Sequence, residues 1–102
     1  MYGTVARFRI KPGAINEFRN QINERRPAPG FHVVHVFQSD NDESELWLIA
    51  IFQDKKTYFE NANSSEQHAE FLRLRKLMTA EPEWHDGEII FSQNKEGILD
   101  SL

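Results

Sequence analysis

Apolar residues alternate with polar ones through Tyr2–Ile10, with Thr4, Ala6, Phe8 and Ile10 on one side and Val5, Arg7 and Arg9 on the other. That two-residue period predicts a strand. Lys11-Pro12-Gly13 ends it, since proline lacks a donor and glycine relaxes the turn. Ala14, Ile15, Phe18 and Ile22 then recur at helical spacing to about Glu24. Arg26-Pro27-Ala28-Pro29-Gly30 breaks that helix. Two strands follow, Phe31–Gln38 and Glu45–Phe52, joined by the polar turn Ser39–Ser44. In the first, Phe31, Val33, His35 and Phe37 share one side, and His32, Val34 and Val36 the other. In the second, Leu46, Leu48, Ala50 and Phe52 oppose Trp47, Ile49 and Ile51.

Asp54 is placed to cap a short helix over Lys55–Asn61, with Tyr58 and Phe59 docking it. Ser64 and Gln67 have capping-box spacing at the start of a longer helix to about Met78. His68, Phe71, Leu72, Leu74, Arg75, Leu77 and Met78 form its broad inner stripe. Glu81-Pro82-Glu83 closes it, and Trp84–Ser92 reads as a last strand with Gly87 inside. Residues 1–92 thus form one domain and 93–102 a tail, whose Ile98, Leu99 and Leu102 either cross onto a partner or fray.

The order strand, helix, strand, strand, two helices, strand predicts an α+β fold of the ferredoxin-like split βαβ kind. It has a four-stranded antiparallel sheet with helices on one face. Those helices cover one face only, yet Trp47, Ile49, Ile51, Val34 and Val36 load the other with apolar area. Leaving them in water forgoes several kcal/mol at about 25 cal/mol per Å² and makes a sticky patch. A second sheet packed on the first resolves this, so a homodimer is expected.

Composition narrows the chemistry. The 102 residues include eight phenylalanines and no cysteine, so disulfides, thiolate nucleophiles and cysteine-based zinc sites are excluded. Twelve basic residues stand against sixteen acidic ones, a net charge near −4, which disfavours nucleic acid. Arg7, Arg9 and Lys11 interrupt any leader-like apolar run. The best apolar stretch, Leu46–Phe52, is far short of the roughly 20 residues of a membrane span. A cytoplasmic protein with no membrane partner is the expectation. No glycine-rich phosphate loop offers a nucleotide cofactor an address.

Several segments in order carry a family likeness. They are Phe8-Arg9-Ile10-Lys11-Pro12-Gly13, Pro29-Gly30-Phe31, Leu46–Asp54, Ser64–Phe71 through Leu77, and Glu83-Trp84-His85-Asp86-Gly87-Glu88. Through them the chain resembles the antibiotic-biosynthesis-monooxygenase-like family of the dimeric α+β barrel superfamily. The resemblance implies two sheets paired into a barrel and a pocket between each sheet and its helices. It also implies a range of activities, from cofactor-free oxidation of polyketide aromatics to haem degradation and the handling of small quinones or aldehydes. Haem-degrading members use an Asn on the first strand, where this chain has Thr4, Ala6 and Phe8. Quinol-oxidising members use Trp, Tyr, Asn and Arg, types found here as Trp47, Tyr58, Asn61, Asn63 and Arg75.

The candidate catalytic residues are His68 and Arg75. An imidazole one turn into the longer helix can accept a phenolic proton, and a guanidinium two turns further along can stabilise the resulting oxyanion. The plainer readings are an edge histidine and an arginine snorkelling from the rim of the core. Phe8, His35, Trp47, Tyr58, Phe71 and Leu72 are the candidate pocket wall. His32 and His35 fall on opposite strand faces, and no spacing matches a zinc site, so no metal or other cofactor is expected. The functional expectation is a cofactor-independent monooxygenase, or related small-molecule enzyme, for a hydroxylated aromatic. The alternative is a non-catalytic ligand-binding or structural dimer of the same fold.

Overall fold

The computed structural model describes residues 1–25 and 27–98. The elements run β1 (Tyr2–Arg9), α1 (Ile15–Asn23), β2 (Phe31–Ser39), β3 (Asp42–Phe52), α2 (Lys55–Ala62), α3 (Ser65–Arg75) and β4 (Glu83–Glu88). Two short pieces, β5 (Gln93–Asn94) and β6 (Gly97–Ile98), pair in a small hairpin after β4. β1 to β4 make one antiparallel sheet in the order β2-β3-β1-β4, the ferredoxin-like arrangement expected from the element order. Among the described residues, no helix is long and apolar enough to cross a membrane.

Alternation on β1 and β3 builds the core. Ala6, Phe8, Leu46, Leu48, Ala50 and Phe52 are buried on the helix-covered face, and Phe18 of α1 and Met78 close over them. Phe8 meets Phe18 edge-on at 6.0 Å between ring centroids, a favoured aromatic geometry. Gly3 sits where β1 and β3 approach closely: a Cβ there would run into the Ala50 carbonyl oxygen. Gly30 has φ of 79° and lies against the Thr57 side chain, so it provides both the turn into β2 and the docking of α2.

The helix starts follow the capping residues. Asp54 Oδ1 accepts from the Thr57 N–H at 2.8 Å, and Ser64 Oγ from the Gln67 N–H at 3.1 Å. The Gln67 side chain does not complete the box; its Oε1 accepts from Asn61 at 3.5 Å.

Several boundaries and faces differ from the expectation. β3 begins at Asp42, because Asp42 Oδ1 takes the Ser44 N–H and its other oxygen pairs with Arg9 at 2.7 Å; the turn shortens to Asp40–Asn41. α3 stops at Arg75, after which Met78 bridges to Ile10. β4 stops at Glu88. Val34 and Val36, expected on the uncovered face, instead pair with Ala50 and Leu48 and pack on the core, and a bulge at His32 brings Phe31, opposite Phe52, to the same helix-covered face. The uncovered face therefore carries Val33, His35 and Phe37 from β2, with Trp47, Ile49 and Ile51 from β3 and Val5 from β1. Leu99 and Leu102 of the tail lie outside the described residues.

Candidate active site

A cavity of about 380 Å³ lies between the sheet and the three helices, within the range that holds small organic ligands. Its floor is Thr4 and Phe8 of β1 with Leu48, Ala50 and Phe52 of β3. Tyr58, Phe59 and Asn61 of α2 and Gln67, Phe71 and Leu74 of α3 form the roof, Trp84 and Asp86 of β4 one side, and Ile22 and Arg25 the other. It is not filled by aromatic side chains. Phe8, Tyr58 and Phe71 of the expected wall are in it.

The local sequence explains this wall. Within β4, Trp84 pairs with Ala6 and Asp86 with Thr4, so both side chains share the helix-covered face. Trp84 packs edge-on against Phe8 at 5.6 Å between centroids and lies 6.2 Å from Phe71. Tyr58 is held by Tyr2, Phe52 and Phe59 at 5.2, 5.6 and 5.0 Å.

The polar groups converge at one end. The Tyr58 hydroxyl donates to Asp86 Oδ1 at 2.9 Å. Burial first, and then the Asp86 carboxylate, push the Tyr58 phenol up to about 12. Tyr58 is thus a hydrogen-bond donor throughout the physiological range, and Asp86 Oδ2 has no hydrogen-bond donor among the described residues. Thr4 pairs with Asp86 across the strands and is only 5% exposed. Its Oγ1 completes no hydrogen bond, although it lies near enough to the Tyr58 oxygen to oppose part of the rise. A buried hydroxyl left unsatisfied inside a cavity is costly, and a bound ligand's oxygen can satisfy it.

Other expected site residues stand elsewhere. His68 is exposed on α3, off the cavity wall. Arg75 is tied at the end of α3, its Nε 2.8 Å from Glu81 and its guanidinium donating to the Met78 carbonyl at 3.3 Å. Leu72 is exposed on the outer side of α3. His35 and Trp47 are on the opposite face of the sheet, in register with Ile49 and with Arg7 and Phe37. The α3 stripe is Gln67, Phe71 and Leu74 rather than His68, Leu72 and Arg75, because Leu74 packs on the core, Phe71 lies beside Trp84 and Gln67 accepts from Asn61 of α2. Asp86 and Thr4 are not among the expected site residues, yet both line the cavity. The available signal is the i, i+2 pair Trp84 and Asp86, since the strand face that sets the tryptophan against Phe8 also carries the aspartate. Among the described residues no cluster of three His, Asp or Glu side chains converges to hold a metal ion.

Comparison with known proteins agrees with this architecture. The family model described as antibiotic biosynthesis monooxygenase matches residues 1–74, and the chain belongs to that family. Among solved structures, a conserved protein from Methanosarcina mazei Go1 is 21% identical, covering 84% of this chain and 89% of that one, with a TM-score of 0.72. SnoaB, a cofactor-independent oxygenase from Streptomyces nogalater, is 20% identical over 87% of this chain and 92% of its own, at 0.75. Rv0793 from Mycobacterium tuberculosis is 17% identical over 87% and 94%, at 0.70. At these identities the structural likeness establishes the fold. No curated protein gives a significant match.

Proposed function

We propose that the chain is a cofactor-independent oxygenase for a hydroxylated aromatic, acting as a homodimer whose sheets meet on the faces that the helices leave bare. The observation that carries the chemistry is an aromatic-walled cavity with Asp86, the Tyr58 hydroxyl and the unsatisfied Thr4 hydroxyl at one end. Membership of the family supports the reaction class.

In this reading Asp86 takes the proton of a substrate hydroxyl, and Tyr58 fixes the carboxylate by occupying Oδ1. The Thr4 hydroxyl donates to the oxyanion that remains. The electron-rich ring passes one electron to dioxygen, and the radical pair combines at a ring carbon as a peroxide, protonated by Asp86. Loss of the C–H proton from that carbon to the aspartate breaks the O–O bond and expels hydroxide, which recovers the proton as water. A phenol and dioxygen give a quinone and water, with the substrate as the only reductant. His68 and Arg75 have no part in these steps, since neither lines the cavity.

The dimer rests on packing. Val5 is 41% and Phe37 56% exposed, and with Trp47, Ile49 and Ile51 they form a continuous apolar strip that a second copy would cover. Oxygen uptake with dihydroxynaphthalenes and hydroquinones tests the chemistry. Uptake is expected in the parent, a fall of about 10²-fold or more in Asp86→Asn, and near-parent rates in His68→Ala and Arg75→Ala. Full activity in Asp86→Asn contradicts the assignment. A parent that binds these phenols without taking up oxygen favours the non-catalytic ligand-binding dimer.

A further inference from the structure

The cavity is bipolar, and its poles lie at opposite edges of the sheet. Asp86 is on β4, at one edge. Arg25, just beyond α1, is the one cation in the described wall, and its guanidinium carbon lies 5.9 Å from the centroid of the Phe31 ring on β2, at the other edge. From β4 to β2 there are three inter-strand steps, about 14 Å in all. Between the poles the wall is apolar and aromatic, with Thr4 beside Asp86 and the amides of Asn61 and Gln67 on the roof.

Arg25 is half-buried and makes no ion pair among the described residues. Its main chain is fixed by an N–H donated to the Ile22 carbonyl at 3.2 Å. It also lines a polar cleft of about 340 Å³ between α1 and α3, as do Ile22, Gln67 and Leu74. Glu17, Glu24 and Glu70 line that outer cleft together with Arg73, but none of the four lines the cavity. The cation is therefore not neutralised from within. A guanidinium held against an aromatic face, with no carboxylate of its own, suits a planar anion presented from the cavity.

We infer that the cavity takes an elongated aromatic hydroxy acid, its hydroxyl at Thr4 and Asp86 and its carboxylate on Arg25, which makes Arg25 the residue that specifies the substrate's acidic end. This rests on the hydroxyl-binding end of the proposed site but not on turnover. The two ideas fail separately, because binding can be measured without oxygen chemistry.

The test is calorimetric titration of the full chain with 6-hydroxy-2-naphthoic acid, its methyl ester and 2-naphthol. The parent should bind the acid about tenfold or more tightly than the ester. Arg25→Gln should erase that preference while leaving ester and 2-naphthol affinities unchanged. Arg25→Lys should restore part of it, and Arg73→Gln should keep the parent's preference. Equal affinity of the parent for acid and ester overturns the inference, as does an equal loss for all three ligands in Arg25→Gln. A loss in Arg73→Gln matching that in Arg25→Gln also overturns it, because general electrostatic attraction would then explain the preference.

Discussion

The two faces of the sheet come from the same four strands and have opposite fates. On the helix-covered face, Ala6, Phe8, Leu46 and Leu48 are buried against Phe18, and the space left beyond them is the cavity. On the other face, Val5, Phe37, Trp47, Ile49 and Ile51 are as apolar but have no helix packed over them among the described residues. The first face carries polar groups at one end of the cavity, where the Tyr58 hydroxyl meets Asp86. The second places its charges at one end, where Arg7 meets Glu45 at 2.6 Å and Arg9 meets Asp42 at 2.7 Å. An apolar strip bounded by ion pairs suits a protein surface, whereas an apolar hollow containing a donor and a carboxylate suits a small molecule. Hydrophobicity alone does not separate the two; the position of the polar groups does.

The largest effect is expected on the bare face. Ile49 lies at the centre of the row His35, Ile49, Val5, His85, so Ile49→Glu would bury unpaired charge in the middle of the proposed contact. Sedimentation velocity should show the parent as a dimer and this variant as a folded monomer. A parent that is monomeric at micromolar concentration removes the reason given for the bare face. On the covered face, Phe18→Ala empties a fully buried position and should cost about 3–5 kcal/mol in denaturant unfolding. A loss below about 1 kcal/mol would mean that α1 is not closing the core as described.

A smaller effect marks the cavity itself. The Tyr58 phenol is raised to about 12, so an absorbance titration should show a phenol ionising near pH 12, absent in Tyr58→Phe. The direction of the linkage follows. Below the ordinary tyrosine value near 10 both folded and unfolded chains hold the proton and this contribution to stability is complete. Above it the unfolded chain ionises first, and the contribution is lost as pH rises through about 12. Asp86→Asn should lower the midpoint, because it removes the second cause of the rise. An unchanged midpoint would detach the aspartate from the phenol.

Much of this architecture is legible in the sequence because it depends on local signals. The two-residue alternation of β1 and β3, the breaks at Pro12-Gly13 and Pro29-Gly30, and the caps at Asp54 and Ser64 all act within a few residues of themselves. The site was harder to read, because its parts meet only through tertiary pairing. His32 looks like an ordinary strand residue, yet its bulge moves Phe31 to the other face. Asp86 lies in a short, polar strand whose inner side is decided by its partner β1. His68 was attractive for its chemistry, but the face of α3 was decided by where Phe71 and Leu74 could pack.

The two tryptophans report on the two faces, since Trp84 borders the cavity and Trp47 lies on the bare face. A ¹H–¹⁵N spectrum of the labelled protein gives each indole its own N–H signal, assigned by Trp47→Phe and Trp84→Phe. Titrating 2-naphthol should move the Trp84 signal and leave Trp47 in place, while dilution through the dimer dissociation range should move Trp47 and leave Trp84. A naphthol that shifts Trp47 instead, with Trp84 unmoved, would put the ligand on the wrong face and contradict the division of labour between them.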